Sequence, residues 1–360
     1  MNRESLPVGK IPAELLGRFL ARAPTADSRV ILGPGIGLDC AVVESGAKLM
    51  VFKSDPVTFV AEEIGYYAVH VNANDIATTG AAPCWMLVTF LLPEAQSTPA
   101  MVEELFEQVA RGCREIGVTL IGGHSEVTHG LQRPIVAGTM VGEVDRDKLV
   151  TPRGAAPGDR LLLTKGVPLE ATAVLARELP DRLTMVLDDR ELATARNFLA
   201  DPGISILRDA RIALNAGRVS AMHDPTEGGL LGALWELAEA SGRSLFFDPE
   251  SVPVPSLARK ICDALCLDPL AAIASGALLL AAPEPDARAI CRALAKEGIP
   301  CAEIGNVQEG PATVLNLRGA KVEKIPWPSR DELARIFENL NRAGEKGEGR
   351  SGGEKTPARE

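Results

Sequence analysis

The sequence predicts a two-domain α/β protein, and three observations carry that prediction. At 360 residues the chain exceeds the size at which one hydrophobic core normally stops growing. Segments with the pattern of buried strands alternate along it with segments of helical period. Between two such series lies Thr151-Pro152-Arg153-Gly154-Ala155-Ala156-Pro157-Gly158-Asp159, whose Pro and Gly density marks a connection. The boundaries that follow are 1–150 for the first domain and 155–320 for the second, then a C-terminal helix over 328–343 and a tail over 344–360.

In the first domain, Pro12 to Ala23 reads as a short helix with one apolar face, made by Leu15, Leu16, Phe19 and Leu20. Val30 to Leu32, Cys40 to Val43, Lys48 to Phe52 and Cys84 to Leu92 are short apolar runs bounded by Gly, Pro or Asp, as buried strands are. A helix runs from Val60 to Thr79, and a second, amphipathic one from Thr98 to Ile116, before strands at Val118 to Ile121 and Pro134 to Val144. The second domain opens with a strand at Arg160 to Leu163 and helices at Leu169 to Glu178, Asp188 to Leu199 and Ser205 to Ala216. A strand at Ser220 to Met222 then leads to a helix over Gly228 to Ala240, and Ala277 to Ala281, Pro285 to Glu297 and Cys301 to Val307 give strand, helix and strand. Ser329-Arg330-Asp331-Glu332 has the form of a capping box for the last helix. Beyond Ala343 the Gly, Lys and Glu composition without periodicity predicts disorder.

Composition narrows the function classes. Hydrophobic residues make up 46% and charged residues 24%, and no apolar run reaches the roughly 18 to 20 residues a membrane-spanning helix needs. The first ten residues lack the layout of a signal peptide, so a cytoplasmic location is expected. A net charge of −10 argues against the nucleic-acid backbone as the main partner. The seven cysteines are scattered without a CxxC pair, which leaves no framework for structural zinc or disulfides. Cys262 and Cys266, four apart, read as two buried thiols on one helix face.

The stretch His70-Val71-Asn72-Ala73-Asn74-Asp75-Ile76-Ala77-Thr78-Thr79-Gly80 puts small and polar residues where an amphipathic helix should bury bulk. Asn72, Asp75 and Thr79 share one face, whereas Asn74 continues the apolar stripe of Ile64, Tyr67 and Val71 and so points into a site. The other reading is a solvated helix face that stops at Gly80. Asp39, after Gly33-Pro34-Gly35-Ile36-Gly37-Leu38, Asp55, after a strand, and Asp75 come from separate elements. Carboxylates delivered in that way hold Mg²⁺ and a polyphosphate, because the ion wants hard oxygens; singly, each also fits a turn or cap. Gly33-x-Gly35-x-Gly37 lacks dinucleotide-fingerprint spacing, and no P-loop exists. Gly122 and Gly123 end a strand before His124, Ser125 and Glu126, either as an anion nest or as a tight turn. In His223-Asp224-Pro225-Thr226-Glu227-Gly228-Gly229, a strand passes into a helix whose first turn is mostly glycine. Close approach of a phosphate to free N–H groups there accounts for those glycines, with packing as the alternative. On the phosphate reading, valine at Gly228 or Gly229 blocks the ligand and leaves the fold intact.

Together these motifs resemble the superfamily of aminoimidazole ribonucleotide synthetase, selenophosphate synthetase, thiamine-monophosphate kinase and the hydrogenase-maturation dehydratase of the HypE type. The likeness runs from Gly33 to Val307. It rests on Gly37-Leu38-Asp39-Cys40-Ala41-Val42-Val43, Ser54-Asp55, Asn74-Asp75 with Gly80-Ala81-Ala82-Pro83, Gly158 to Lys165, and Asp224-Pro225-Thr226-Glu227-Gly228-Gly229-Leu230. The resemblance implies a PurM-like fold, with an N-terminal dimerising sheet domain and a C-terminal α/β domain. It further implies ATP and Mg²⁺ as cofactors, the metal on Asp39, Asp55 and Asp75, and nucleotide near Gly35, Gly37, Asn74, Gly122, Gly123, Lys165, Thr226, Gly228 and Gly229. Asp224, Glu227 and His124 are the implied catalytic groups. A homodimer, a small-molecule or protein-borne phosphoryl acceptor and a metallocentre-maturation partner are implied with them. The pattern is most similar to the HypE type, with three departures: no cysteine follows Cys301, Ala274-Ser275-Gly276 stands where Asn-Glu-Gly is expected, and Gly123-His124-Ser125 replaces Gly-Asp-Thr. A kinase of the thiamine-monophosphate type and a non-catalytic nucleotide-binding partner are the alternatives.

Overall fold

The computed structural model describes residue 6 and residues 8–58, 60, 62–318 and 321–348. Its first half builds helix α1 (Ala13–Leu20) and strands β1 (Val30–Leu32), β2 (Ala41–Ser45) and β3 (Lys48–Val57). Helix α2 (Ile64–Thr78), β4 (Ala82–Pro93), α3 (Pro99–Ile116), β5 (Thr119–Thr128) and β6 (Ile135–Val144) follow. The six strands form one sheet in the order β1-β2-β3-β6-β4-β5, antiparallel except for the β4–β5 pair. Thr98 caps α3 by accepting the Met101 N–H at 3.2 Å, and Gly117 closes it in the left-handed conformation. Helix α2 lies on the sheet against β3 and β6 and is buried along almost its whole length. That burial explains why its polar residues look misplaced: both sides of the helix are covered, one by the sheet and α3, the other by the second domain.

The second half contains β7 (Asp159–Thr164), α4 (Leu169–Glu178), α5 (Pro180–Leu183), α6 (Asp189–Arg196), α7 (Leu207–Ala216) and β8 (Ala221–His223). It continues through α8 (Gly229–Ser241), β9 (Ser244–Phe247), α9 (Ser256–Leu265), β10 (Leu279–Pro283), α10 (Glu284–Lys296), β11 (Cys301–Gln308), β12 (Thr313–Arg318) and β13 (Lys321–Lys324), and α11 (Glu332–Glu348) follows. Its sheet has the order β13-β12-β9-β11-β7-β10-β8, with only β12 and β9 parallel. The two sheets fall on either side of the Thr151–Asp159 connection.

Several elements differ from the sequence reading. Strand β5 does not end at Ile121 but runs through Gly122 and Gly123 to Thr128, with an irregularity opposite Met86 and Leu87. The glycines are strand residues: a Cβ on Gly123 would stand 1.8 Å from the Val88 carbonyl oxygen of the neighbouring strand. They form neither a tight turn nor an anion nest. The short strands β9, β12 and β13 were not anticipated, because four to six residues carry little periodic signal; helix α9, ten residues with Ala258, Ile261 and Cys262 on its buried face, was also missed. The last helix starts at Glu332, so Asp331 and not Ser329 caps it. Asp331 accepts the Leu333 N–H at 2.7 Å, while Glu332 turns to Arg335. Helix α11 continues through Glu348, into the segment expected to be disordered, and residues 349–360 of that expected tail lie outside the described residues. Cys262 is buried but Cys266 is exposed in a left-handed helix-terminal position, so they are not a buried pair. The fold instead brings Cys291 and Cys301 together, sulfur to sulfur, at 3.3 Å. Among the described residues no helix is long and apolar enough to cross a membrane.

Candidate active site at the domain junction

Three of the acidic residues singled out from the sequence converge on a lysine that was not. Lys53 and Asp55 are two apart on β3 and so share a face of the sheet; α2 supplies Asp75, and the loop before β2 supplies Asp39. The Lys53 Nζ lies 3.0 Å from Asp55, 3.3 Å from Asp75 and 3.8 Å from Asp39. Burial works against its charge, but Asp75, Asp39 and Asp55 outweigh it and hold the ammonium firmly protonated. Asn72 fixes the strand beside it: its side-chain oxygen accepts the Asp55 N–H at 3.0 Å, and its amide donates to the Asp55 and Ala68 carbonyls at 3.3 and 2.8 Å. Asn72 therefore positions the backbone that carries one acid of the group.

The second domain adds the opposite wall. At the end of β8, His223 Nε2 lies 3.0 Å from Glu236 of α8 and 3.5 Å from Asp39, and Lys10 reaches the other Glu236 oxygen at 2.8 Å. Burial alone would keep the imidazole neutral, but Asp39 and Glu236 outweigh it and raise His223 to about 9. Burial likewise opposes the charge on Asp39, yet His223, Lys53 and Lys10 hold it down at about 2. Asp224, the next residue, is fully buried and neither of its oxygens has a hydrogen-bond partner. Burial, followed by the charge of Asp39, raises it to about 6. Burial also lifts Asp75 well above the usual carboxylate range, with Lys53 opposing.

Ligand atoms of Asp39, His223 and Asp224 lie within 4.8 Å of one another. The chemistry of this set favours a hard cation on oxygen: His223 Nε2 faces Glu236 at 3.0 Å, whereas both Asp224 oxygens are unbonded and Asp39 and Asp75 add carboxylates. The residues therefore fit Mg²⁺.

Other predicted site residues are committed elsewhere. Asn74 is buried and spends both ends of its amide on the second domain, donating to Ile204 O at 2.8 Å and accepting the Ile206 N–H at 3.0 Å. It is neither a solvated residue nor a free ligand group, but a clamp between domains. Lys165, in the left-handed region at φ 58°, donates to Ser205 O at 2.6 Å and pairs with Asp209 at 3.3 Å. That ammonium holds a loop by these contacts. His124 is exposed and pairs with Glu126 on β5. Counting across the sheet from β3 through β6 and β4 puts it about 14 Å from Asp55, so within one chain it stands apart from the carboxylates.

Gly35 lines a cleft of about 620 Å³ between α1 and α8, and Gly37 makes the close approach that joins the domains. At φ 70°, a Cβ on Gly37 would sit 2.2 Å from the Glu236 carbonyl oxygen. At the start of α8 the expected free N–H groups are largely taken: Gly228 N donates to Asp331 at 2.7 Å, Gly229 N to Thr226 O at 2.9 Å and Leu231 N to Leu270 O at 3.1 Å. A carboxylate of the chain itself thus occupies the end assigned to phosphate. Thr226 and Glu227 are half-buried beside it, and Glu227 takes a backbone hydrogen bond from Lys10.

Sequence reasoning missed Lys53, His223's partner Glu236, Lys10 and Glu170. Glu170, on α4, accepts the Ser275 N–H at 3.3 Å, so a carboxylate reaches the Ser275 position from another element. Burial raises it to about 7. Since the folded chain then binds this proton more tightly than the unfolded chain, stability falls as pH rises from 4.5 to 7 and the loss is complete above 7. Glu170→Gln is expected to raise the unfolding free energy by about 3 kcal/mol at pH 8 and to leave it unchanged at pH 4, as measured by urea titration at the two pH values.

Comparison with known proteins agrees with this architecture. The AIR synthase related protein N-terminal domain matches residues 37–144 and the C-terminal domain of the same family matches residues 156–318. The chain is 28% identical to the carbamoyl dehydratase HypE of Cupriavidus necator, over 78% of each protein. It is 29% identical to the carbamoyl dehydratase HypE of Azotobacter vinelandii, over 78% of this chain and 81% of that one. In fold it resembles the crystal structure of the hydrogenase maturation protein HypE in complex with ATP, with a TM-score of 0.64 at 23% identity, covering 89% of this chain and 97% of that one. With both halves matched in order, the chain belongs to the AIR synthase related family and has its two-domain, PurM-like fold.

Proposed function

We propose that this protein is a cytoplasmic, Mg²⁺- and ATP-dependent enzyme of the synthetase or dehydratase type, which phosphorylates an amide or carbonyl-like oxygen in hydrogenase or other metallocentre maturation. The observation that carries the reading is Asp224. A fully buried carboxylate with two unbonded oxygens, beside Asp39 and at a junction of two domains, is costly unless a cation completes it. The names of the relatives and the ATP of the HypE structure support the same class.

On this reading Asp39, Asp75 and Asp224 hold the metal, and Asp55 lies within reach of it. Mg²⁺ supplies neutralisation of phosphate charge, which is the main requirement of phosphoryl transfer. The chain's own residues prepare the site: protonated His223 keeps Asp39 ionised, Glu236 keeps His223 in place, and Gly37 lets the first-domain loop sit against α8. Lys10, paired with Glu236 and with a side chain 44% exposed, adds a partly exposed cation beside the acidic group. We further propose a homodimer through β5, whose residues are almost all exposed and whose outer edge has no partner strand among the described residues. It presents Leu120, Ile121 and Val127 to solvent.

The test is turnover of ATP by the purified protein with Mg²⁺, following ADP, AMP and phosphate separately, with Asp75→Asn as the control. Release of ADP and phosphate that the variant loses is the expected result. AMP release, or ATP bound equally well by the variant, would overturn the assignment.

A further inference from the structure

Three carboxylates converge on the Lys53 ammonium, which carries a single charge and is 9% exposed, and Asp224 stands in the same group with both oxygens unbonded. The ammonium has three N–H donors but one positive charge. Three carboxylates can therefore share its donors, yet their charges exceed what a monovalent cation neutralises and suit a divalent one on oxygen. The backbone of residue 53 is paired with Met140 across β3 and β6, four rotatable bonds separate it from the charge, and Asp39, Asp55 and Asp75 hold the ammonium itself. The backbone of Asp55 is fixed by Asn72, and Asp75 is fixed in the buried α2. Asp75, on a short side chain in a buried helix, is the stationary part of the cluster, and the ammonium, on the longer side chain, is the more movable one.

We propose that Lys53 is a resident counter-cation of the metal site, which holds Asp39, Asp55 and Asp75 together in the metal-free protein and gives way when a divalent ion enters with its nucleotide. The inference rests on the metal assignment made above. Its consequence is a coupling between two ligands. A divalent ion arriving alone must displace a positive charge that has nowhere favourable to go, whereas one arriving with a polyphosphate brings the anion that receives the ammonium. Metal and nucleotide then each raise the other's affinity by the same factor, and removing the lysine charge removes much of that factor.

The experiment is Mn²⁺ binding, followed by the loss of the free-ion electron paramagnetic resonance signal, with and without a non-hydrolysable ATP analogue. It compares the full-length wild-type protein with Lys53→Met and Lys53→Gln. The expected result is Mn²⁺ binding at least tenfold tighter in the variants when nucleotide is absent, a smaller enhancement on adding the analogue, and a melting temperature that has become dependent on Mn²⁺. Variants that fold and bind Mn²⁺ no more tightly than wild type would overturn the role of Lys53 while leaving the metal site standing. Failure of both variants to fold at any Mn²⁺ concentration would also overturn it, since the lysine would then be a structural ion-pair partner. If the wild-type protein binds no Mn²⁺ even with the analogue, the metal assignment itself fails.

Discussion

Asp224→Asn is expected to lower kcat/KM for ATP turnover by at least about a thousandfold, about 4 kcal/mol of transition-state stabilisation, and at the same time to make the metal-free protein more stable. The two effects have one cause. Asp224 is fully buried with no hydrogen bond to either oxygen, and burial, aided by Asp39, lifts it from 3.8 to about 6. An acid whose folded pKa is raised binds its proton more tightly in the native chain, so stability declines as pH rises from 3.8 to 6 and stays reduced above that. A shift of this size corresponds to about 3 kcal/mol. Asparagine has the same shape and never carries the charge. In chelator at pH 8 the variant should unfold at higher denaturant concentration than wild type, and at pH 3.5 the two should coincide. A variant that is less stable at pH 8 would mean that the carboxylate has a protein partner and is not reserved for a cation.

The second large effect concerns Gly229, where the structure reverses the expectation from the motif. A Cβ there would stand 2.5 Å from Leu270 O and 2.7 Å from Ala272 O, and the residue has φ 61°. Both contacts are with backbone carbonyls that cannot rotate away. Gly229→Val is therefore expected to cost more than about 3 kcal/mol of stability, by overpacking and by backbone strain together. Gly228 differs: its Cβ would make ordinary contacts with Pro328 at 3.4 Å and the Gly232 backbone at 3.5 Å, so Gly228→Ala should cost about 1 to 2 kcal/mol, mainly from its positive φ. Melting curves of the two variants check this. A Gly229→Val protein with the wild-type melting temperature and lost ATP affinity would restore the phosphate-loop reading.

What could be read from the sequence follows from how each residue is constrained. Asp39, Asp75 and Asp224 were legible because each follows or interrupts an apolar segment with a polar group that packing does not require. Most strands and helices of the first domain were legible from their periodicity. Lys53 was not, since Lys53-Ser54-Asp55 at the end of an apolar strand reads as a chain emerging into solvent, and it takes Asp39 and Asp75 from elsewhere in the fold, beside its neighbour Asp55, to draw the ammonium inside. Asn74 was recognised as anomalous, but its role depends on Ile204 and Ile206, about 130 residues away, which local pattern cannot supply. The glycines failed in the opposite direction. Gly122, Gly123 and Gly229 looked like ligand loops; neighbouring backbone accounts for Gly123 at Val88 and for Gly229 at Leu270 and Ala272, while Gly122 is a strand residue whose Cβ would meet only the Leu87 side chain at 3.8 Å, because absence of a side chain serves close packing as well as ligand approach.

Calorimetric titration of the purified protein with a non-hydrolysable ATP analogue, with and without Mg²⁺ and beside the Asp224→Asn variant, tests the central claim most directly. The account predicts binding that tightens at least tenfold with Mg²⁺ and an enhancement that the variant lacks. Binding indifferent to Mg²⁺, or an enhancement that survives in Asp224→Asn, would contradict it.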